Sequence, residues 1–425
     1  MKVLVLNGSP TGKNSITLYT VLYIQKHFPE CEFEILQVGA QIKGMEKEFT
    51  DCAQKLEAAD LILFCYPVYT FLVPSQLHRF IELMKEHEVN VSGKYVAQIS
   101  TSLHFYDITA HQFIKDNCAD LSMKYLEGLS ADMEDLLKEK GQKEALGFFR
   151  FLLWSMEQDK KPSSSDAGKG KLALVTDLSN DPDGRLSAMI AQFQAASGRE
   201  VIVTDLKEFP FAGGCLGCFH CAADGTCVYK DGFDRYLREQ IQTADAIICA
   251  FTIRDHSMGY RFKLFDDRQF CNGHRTVTMG KPFGYLVVGD LEAEPNLKVL
   301  IESRAQVGGN YLAGIAVDSE PEGIQHLVRK LDYAVENNFQ LPQNFYGVGG
   351  LKIFRDLIYQ MRGLMKADHQ FYKKHGFYDF PQKRKGRILG MKLVGMMMRN
   401  QKLQKKMGGK MTEGMIMPYQ KVLKS

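Results

Sequence analysis

Four cysteines stand within thirteen residues in the middle of the chain, in the spacing C-x2-C-x2-C-x5-C. They are Cys215, Cys218, Cys221 and Cys227, and the glycines among them permit tight turns that let four sulfur atoms converge. A [4Fe–4S] cluster requires four thiolates around one compact cube. The spacing therefore predicts a cluster held by residues 213–227, which we call the cysteine loop.

Zinc and thiol chemistry also fit these residues. Structural zinc sites usually join two cysteine pairs from separate strands or helices, which makes zinc the second choice of metal. Two disulfides, or four thiols without a metal, would make the loop a redox switch. Disulfides need an oxidising compartment, whereas the other six cysteines are scattered singly, as in a reducing cytoplasm. We expect these six to be small buried apolar residues: Cys31, Cys52, Cys65, Cys118, Cys249 and Cys271.

A turn rich in glycine and hydroxyl groups follows the first predicted strand, Lys2–Leu6. An amphipathic stretch from Ile16 to Phe28 comes next, which predicts strand, turn and helix. Backbone N–H groups and the positive end of a helix favour a phosphate at such a turn. The side chains expected to bind it are Ser9, Thr11, Asn14, Ser15 and Thr17.

Two further loops are expected at the same edge of the sheet, because the carboxyl ends of parallel strands lie together. Tyr66–Phe71 offers aromatic faces to a flat ring, and Ser100–Tyr106 offers polar groups to its edge. The predicted contacts of the ring are Tyr66, Pro67, Val68, Tyr69, Thr70, Phe71, Ser100, Thr101, Ser102, His104 and Phe105. We assign no catalytic residue, although His104 and His78 could donate a proton because imidazole titrates near neutrality.

Strands alternate with helices along the chain, which predicts a parallel sheet with helices on both faces. The pattern occurs twice, since Ala59–Tyr69 aligns without gaps on Ala244–Arg254. We therefore predict an α/β protein with two tandem doubly wound domains, each in the strand order 2-1-3-4-5. The predicted segments are a first domain at 1–159, a linker at 160–170, a second domain with the cysteine loop at 171–340 and a basic, mainly helical extension at 341–425.

The charge is distributed unevenly. The segment from Leu351 to Ser425 carries 18 Lys and Arg against 4 Asp and Glu, so its net charge is +14, and the remainder carries −11 of the overall +3. The same segment holds ten of the 19 methionines. We expect it to pack on the second domain or on another subunit, and to recruit an acidic partner or anionic lipid. It has no nucleic-acid-binding motif. The sequence contains no apolar run of ~20 residues, and we expect no signal peptide because the first residues have the pattern of a strand.

The turn Gly8-Ser9-Pro10 with Asn14-Ser15, and the segment Tyr66–Tyr69, resemble the FMN-binding signatures of NAD(P)H-dependent FMN reductases of the flavodoxin-like superfamily. The cysteine loop is similar to the cluster motif of the iron–sulfur flavoproteins in that superfamily. The resemblance covers residues 1 to 335 as two flavodoxin-like copies. It implies FMN on the phosphate and ring residues named above, a [4Fe–4S] cluster on the four cysteines, and NAD(P)H as substrate.

The second copy departs from this pattern at the corresponding turn. Asp177, Asp181 and Asp183 would repel a phosphate, although Arg185 could partly compensate. We therefore expect one FMN per chain, with the cluster in the other domain.

The resulting hypothesis is a cytoplasmic flavin-dependent oxidoreductase that passes electrons between NAD(P)H or a reduced carrier, FMN and the cluster. Its partner would be a small molecule or an acidic carrier such as ferredoxin, and a homo-oligomer is expected. The alternative is a non-catalytic redox sensor or scaffold that uses the cysteine loop as a thiol switch or zinc site.

Overall fold

The computed structural model describes residues 1–159, 169–399 and 401–424, so most of the predicted linker at 160–170 lies outside the described residues. The chain divides into two compact units. The first consists of Met1–Pro162 with Phe380–Ser425, and the second is Ser163–Asp379. The segment 341–425, expected to be one extension, is therefore divided between the two units.

The first unit is built on five parallel strands in the order β2-β1-β3-β4-β5. These strands are β1 (Lys2–Asn7), β2 (Glu32–Leu36), β3 (Leu61–Pro67), β4 (Tyr95–Ser102) and β5 (Lys124–Asp132). The central strand β3 is buried at six of its seven residues, as expected of a parallel strand covered on both faces. The order confirms the flavodoxin-like prediction.

Six helices flank this sheet: α1 (Ile16–His27), α2 (Val38–Met45), α3 (Thr50–Ala58), α4 (Ser75–Glu86), α5 (Asp107–Asp120) and α6 (Glu139–Gln158). The strand β2 ends at Leu36, and Val38, at the end of the same apolar run, begins α2. Val38 is fully buried in this helix. The run is too short for its apolar pattern to distinguish strand from helix.

The second unit repeats this architecture. Its strands pair in the order β10-β9-β8-β6-β7, which is the same order read from the other edge of the sheet. They are β6 (Lys171–Thr176), β7 (Glu200–Asp205), β8 (Ala246–Thr252), β9 (Pro282–Val288) and β10 (Tyr311–Val317). Its helices are α7 (Arg185–Ala196), α8 (Cys221–Asp224), α9 (Phe233–Tyr236), α10 (Tyr260–Arg268), α11 (Pro295–Gly308), α12 (Gly323–Glu336), α13 (Phe345–Gln360) and α14 (Lys366–Lys374).

A two-residue turn after the third strand of each copy also supports the duplication. In the first copy Tyr69 and Leu72 exchange two backbone hydrogen bonds, and in the second Arg254 and Ser257 do so. The two central residues of both turns have positive φ: 46° and 72° at Thr70 and Phe71, and 48° and 59° at Asp255 and His256. The gap-free alignment of the two sequences thus corresponds to a shared backbone geometry.

The last two helices, α15 (Lys385–Met398) and α16 (Gln401–Lys424), belong to the first unit. This segment was expected to pack on the second domain or on another subunit, but α16 packs on α1 of the first unit instead. Within the described ranges, no helix combines the length and apolar character needed to cross a bilayer.

Candidate functional site

The turn after β1 is held by Asn7, whose side chain is fully buried. Its amide nitrogen donates to the carbonyl oxygen of Gly12 and to the side-chain oxygen of Gln37, each at 2.9 Å. Its side-chain oxygen accepts from the N–H of Ser9 at 3.3 Å. These bonds fix the shape of the turn without a ligand. The backbone would therefore lose little conformational entropy on binding one.

Two close approaches of neighbouring elements also constrain this turn. A Cβ atom at Gly39, on α2, would lie 2.2 Å from the carbonyl oxygen of Ser9. A Cβ atom at Gly8 would lie 2.7 Å from the side chain of Leu77, on α4. Only glycine fits at these distances, so α2 and α4 support the turn directly.

The N-terminus of α1 opens beside the same turn. Ser15 caps the helix, since its hydroxyl oxygen accepts from the N–H of Leu18 at 3.4 Å. The other N–H groups of the first turn have no acceptor within the helix. The Thr17 and Thr101 hydroxyls are 2.5 Å apart, which ties this end of α1 to β4. Hydroxyls and backbone N–H groups at a helix N-terminus suit a phosphate.

These residues form one end of a cleft of about 550 Å³, which we call the N-terminal cleft. Thirteen of the sixteen residues predicted to bind a phosphate-bearing ring line it: Ser9, Thr11, Asn14, Ser15, Thr17, Pro67, Val68, Tyr69, Thr70, Phe71, Thr101, Ser102 and Phe105. The other three, Tyr66, Ser100 and His104, are buried and absent from the lining. Five lining residues were not predicted: Ile16, Leu103, Met133, Met415 and Ile416.

Exposed aromatic rings stand at the other end of this cleft. Phe71 lies 5.5 Å from Phe105 and 5.1 Å from Tyr106, measured between ring centroids. Phe105 is 61% exposed although it is large and apolar. Phe71 also has a left-handed backbone (φ 72°), a conformation that costs energy in residues other than glycine and that concentrates at functional sites. This end of the cleft suits a flat aromatic ring.

A buried polar network lies beneath this aromatic end. His104 Nδ1 is 2.9 Å from Asp107 Oδ2, and the Ser130 hydroxyl donates to the same oxygen at 2.5 Å. A second histidine, His111, has its Nε2 atom 2.8 Å from the Ser100 hydroxyl. Burial lowers the pKa of His111 to about 4, so this imidazole is neutral near pH 7. Ser100 and His104 thus belong to the support of the loop rather than to its surface.

His78, the other histidine considered as a proton donor, lies on the surface of α4. Its ring is 3.6 Å from the carboxylate of Glu82 on the same helix.

The end of the chain completes the wall of the N-terminal cleft. Met415 and Ile416 of α16 line it. Ile416 and Tyr419 are buried in a cluster with Tyr19, Tyr23 and Leu136. Sequence reasoning missed this wall because α16 is so distant in the chain. The spacing of Ile416, Tyr419 and Leu423 at i, i+3 and i+7 was the available signal, since it predicts a helix with one apolar face.

The corresponding helix end of the second unit is filled by the chain's own carboxylate. Asp181 accepts from the N–H groups of Leu186 and Ser187 at 3.0 and 2.9 Å, and from the Ser187 hydroxyl at 2.6 Å. Burial opposes the charge of Asp181, but these hydrogen bonds lower its pKa. Arg185, a possible phosphate ligand, pairs with Asp318 at 2.6 Å. The groups that would hold a phosphate here are therefore engaged.

The four cysteines of the cysteine loop line one cavity of about 450 Å³, which we call the cysteine cavity. Cys215 and Cys218 are exposed, and Cys221 and Cys227 are half-buried. Burial raises the pKa of the Cys221 thiol, and negative charge on the other three sulfur atoms would raise it further. All ten cysteines carry free thiols, and the six isolated ones are buried as predicted.

The thiols have hydrogen-bond partners of their own. The N–H of Gly217 donates to Cys215 Sγ at 3.5 Å, and Cys221 Sγ donates to the carbonyl oxygen of Phe270 at 3.1 Å. Among the described residues, no three His, Cys, Asp or Glu side chains converge closely enough to hold a single metal ion. A four-iron cube keeps its thiolates further apart than one ion does. Four thiols around a shared cavity therefore fit the donor set of a [4Fe–4S] cluster.

A buried arginine that the sequence analysis did not single out holds this loop together. Arg268 of α10 donates to both carboxylate oxygens of Asp231 at 2.7 and 2.8 Å, and to the carbonyl oxygen of Gly213 at 2.9 Å. Its guanidinium also lies 3.8 Å from Cys227 Sγ. One cation thus joins the start of the loop to the segment after its end.

The carboxylate of Asp231 is stabilised by this arrangement. Burial alone would raise the pKa of Asp231, but hydrogen bonds from Arg268 and from backbone N–H groups lower it to about 2. The pair is charged over the physiological range, and its two parallel hydrogen bonds give the loop a fixed anchor.

Residues 1–128 match the family described as NADPH-dependent FMN reductase. The matched segment runs from β1 into β5 and includes the phosphate turn, the Tyr66–Phe71 loop and the Ser100–Tyr106 loop. This match confirms the resemblance predicted for this part of the chain.

One relative and two solved structures extend the comparison. An iron-sulfur flavoprotein of Archaeoglobus fulgidus is 28% identical over 174 residues, which cover 38% of this chain and 79% of that protein. The FerB flavoenzyme NAD(P)H:(acceptor) oxidoreductase of Paracoccus denitrificans is 19% identical over 37% of this chain and 97% of its own, with a TM-score of 0.31. The NAD(P)H:quinone oxidoreductase from Methanothermobacter marburgensis is 9% identical over 39% of this chain and 99% of its own, with a TM-score of 0.30. Likeness at the level of these two structures carries no information about activity.

Proposed function

We propose that the chain is an NAD(P)H-dependent oxidoreductase that holds one FMN in the N-terminal cleft and one [4Fe–4S] cluster in the cysteine cavity. The flavin part is supported by the N-terminal cleft, where a helix end suited to a phosphate and an exposed aromatic wall both belong to the segment matched by the FMN reductase family. FMN accepts electron pairs and releases single electrons, which is the chemistry it would supply.

The residues of the cleft divide the binding of FMN between them. The phosphate would be held by the hydroxyls of Ser9, Thr11 and Ser15 and by the N–H groups at the start of α1. The flat ring would rest against Phe71 and Phe105, which are exposed without a ligand. Asn7 and Gly39 keep the phosphate turn in place, because one bonds across it and the other lets α2 approach it.

We propose that the cluster held by the cysteine loop accepts and releases single electrons. Its four thiolates would bind the cluster, and hydrogen bonds to sulfur, such as that from the Gly217 N–H, tune reduction potential in such sites. The iron-sulfur flavoprotein relative supports this assignment by its name. None of the ten cysteines is paired in a disulfide, which is consistent with the reducing cytoplasm that we propose as the compartment.

Cys218→Ser tests the relay. The variant should lose the cluster but keep its FMN, because the cleft lies in the other unit. NAD(P)H should still bleach the flavin in a single turnover, while transfer to a one-electron acceptor should fall steeply.

Cys271→Ala is the matched control. Cys271 lines the same cavity but lies outside the cysteine loop, and burial raises the pKa of its thiol to about 12. This variant should keep both iron and onward transfer. Onward transfer that stays at the parental rate in iron-free Cys218→Ser would refute the relay and favour a thiol switch or structural clasp.

A further inference from the structure

The helix α15 exposes apolar side chains that a globular domain usually buries. Leu389 and Leu393 are 61% and 52% exposed, and Met396 and Met397 are similarly exposed. These four residues are spaced at i, i+4, i+7 and i+8, so they share one face of the helix. Most apolar surface of this kind marks a contact with another molecule or a membrane.

A row of cations runs beside this apolar face. Lys385, Lys392 and Arg399 are all exposed, and each is seven residues from the next. Residues seven apart lie almost above one another on a helix, because the angular position of the side chain around the helix axis changes by only ~20° per heptad. The helix therefore presents a stripe of positive charge next to a stripe of leucine and methionine.

The opposite side of α15 is anchored to the first unit. Arg387 pairs with Glu134 at 2.5 Å, and Arg384, just before the helix, lies 3.7 Å from the same carboxylate. Arg387 is two residues before Leu389, so the two side chains leave the helix about 200° apart. The anchor consequently turns the apolar face away from Glu134.

The sequence segment that contains α15 carries charge of a single sign. From Phe380 to Thr412 the sequence contains ten Lys and Arg and no Asp or Glu. Such a segment is attracted to any strongly anionic surface. Charge alone does not choose between an acidic protein and an acidic lipid surface. The apolar face favours the lipid surface, because a purely acidic protein surface would leave leucine and methionine in water.

We propose that α15 docks flat on an anionic lipid bilayer, with its apolar face among the headgroups and first acyl carbons and its cation row against lipid phosphates. An interfacial helix needs both features at once, an apolar stripe for insertion and cations for anionic lipid. The proposal is independent of the cofactors, since no residue of either cavity takes part. It adds a peripheral membrane attachment to the proposed redox function.

The test is co-sedimentation of the full chain with vesicles. Wild type should sediment with vesicles of phosphatidylglycerol and phosphatidylcholine, and should stay in solution with phosphatidylcholine alone. One variant, Leu389→Gln with Leu393→Gln and Met396→Gln, removes three of the four side chains of the apolar face and keeps the charge. A second, Lys385→Gln with Lys392→Gln and Arg399→Gln, removes the cation row. Each should bind the mixed vesicles ~10-fold or more weakly.

The control removes three cations elsewhere: Lys366→Gln with Lys373→Gln and Lys374→Gln, all exposed on α14. It has the same net charge as the cation-row variant and should bind as wild type does. A wild-type circular dichroism spectrum and thermal midpoint in every variant verify that the chain is folded. Equal vesicle binding by wild type and the apolar-face variant would overturn the proposal, because it would show plain electrostatic adsorption. A wild type that ignores vesicles but binds an acidic ferredoxin would overturn it in favour of a protein partner.

Discussion

The hydroxyl of Tyr419 donates a 2.6 Å hydrogen bond to the carbonyl oxygen of Met133, a residue 286 positions earlier in the chain. Met133 follows β5 and lines the N-terminal cleft, as do Met415 and Ile416 of α16. The last helix is therefore a structural part of the cleft of the first unit, and its contacts should influence what the cleft binds.

Ile416→Ala should weaken FMN binding and lower the stability of the first unit. Ile416 is 2% exposed and packs against the start of α1, so its truncation should cost about 2–5 kcal/mol. Fluorescence titration with FMN and thermal unfolding measure the two effects. The neighbouring Met417 is 54% exposed, so Met417→Ala should alter neither. If Ile416→Ala and Met417→Ala change FMN affinity and thermal stability equally, then the buried packing of Ile416 is not what supports the cleft.

Gly39→Ala should abolish FMN retention. The added methyl group would meet the carbonyl oxygen of Ser9 at 2.2 Å, so the phosphate turn or α2 must move. Gly44→Ala, on the same helix, is the control because its Cβ atom would meet nothing within 4 Å. Flavin released per chain after purification should be near the parental value for Gly44→Ala and much lower for Gly39→Ala. Full flavin content in Gly39→Ala would contradict the role assigned to this contact.

Arg268→Lys should make the iron of the cysteine loop labile. Lysine keeps the charge but loses the planar fork that bonds both oxygens of Asp231 and the carbonyl of Gly213. We expect a several-fold faster loss of iron to a chelator, with FMN content unchanged. Lys263→Gln is the control, since Lys263 is an exposed residue of the same helix. Parental iron retention in Arg268→Lys would show that the loop does not depend on this anchor.

The stability of the first unit should decrease in mild acid because of His111. Burial lowers the pKa of this imidazole from 6.5 to about 4, so the unfolded chain binds the proton more readily than the folded chain does. The contribution of neutral His111 to the free energy of unfolding is fully present above about pH 6.5 and is lost as the pH falls toward 4. Thermal midpoints across this window should fall for wild type and fall less for His111→Gln. His78→Gln, at a half-buried position on α4, should follow wild type, and identical curves for all three would contradict the assignment.

The sequence predicted what depends on local pattern. Alternating strands and helices, with the match of Ala59–Tyr69 to Ala244–Arg254, led to two parallel sheets with the observed strand order. The cleft was predictable because strand ends of a parallel sheet converge by geometry alone. The cysteine loop was predictable because its four thiols are adjacent in sequence.

The remaining features depend on contacts between distant parts of the chain. Arg268 lies 41 residues from Cys227, and Ile416 lies 400 residues from Ile16, so no local spacing connects these pairs. Asp181 was expected to repel a phosphate. The structure adds that its carboxylate occupies the helix end itself, which follows from a backbone geometry that a sequence does not specify.

The cofactor content of anaerobically purified protein tests the central claim most directly. Released flavin, iron and acid-labile sulfide should be measured against protein on the same sample. The account predicts a brown-yellow protein with close to one FMN, about four iron atoms and about four sulfides per chain. A flavin ratio near two would show that the second unit binds FMN despite Asp181. A protein without iron, in which the four loop cysteines titrate as free thiols, would contradict the proposed cluster.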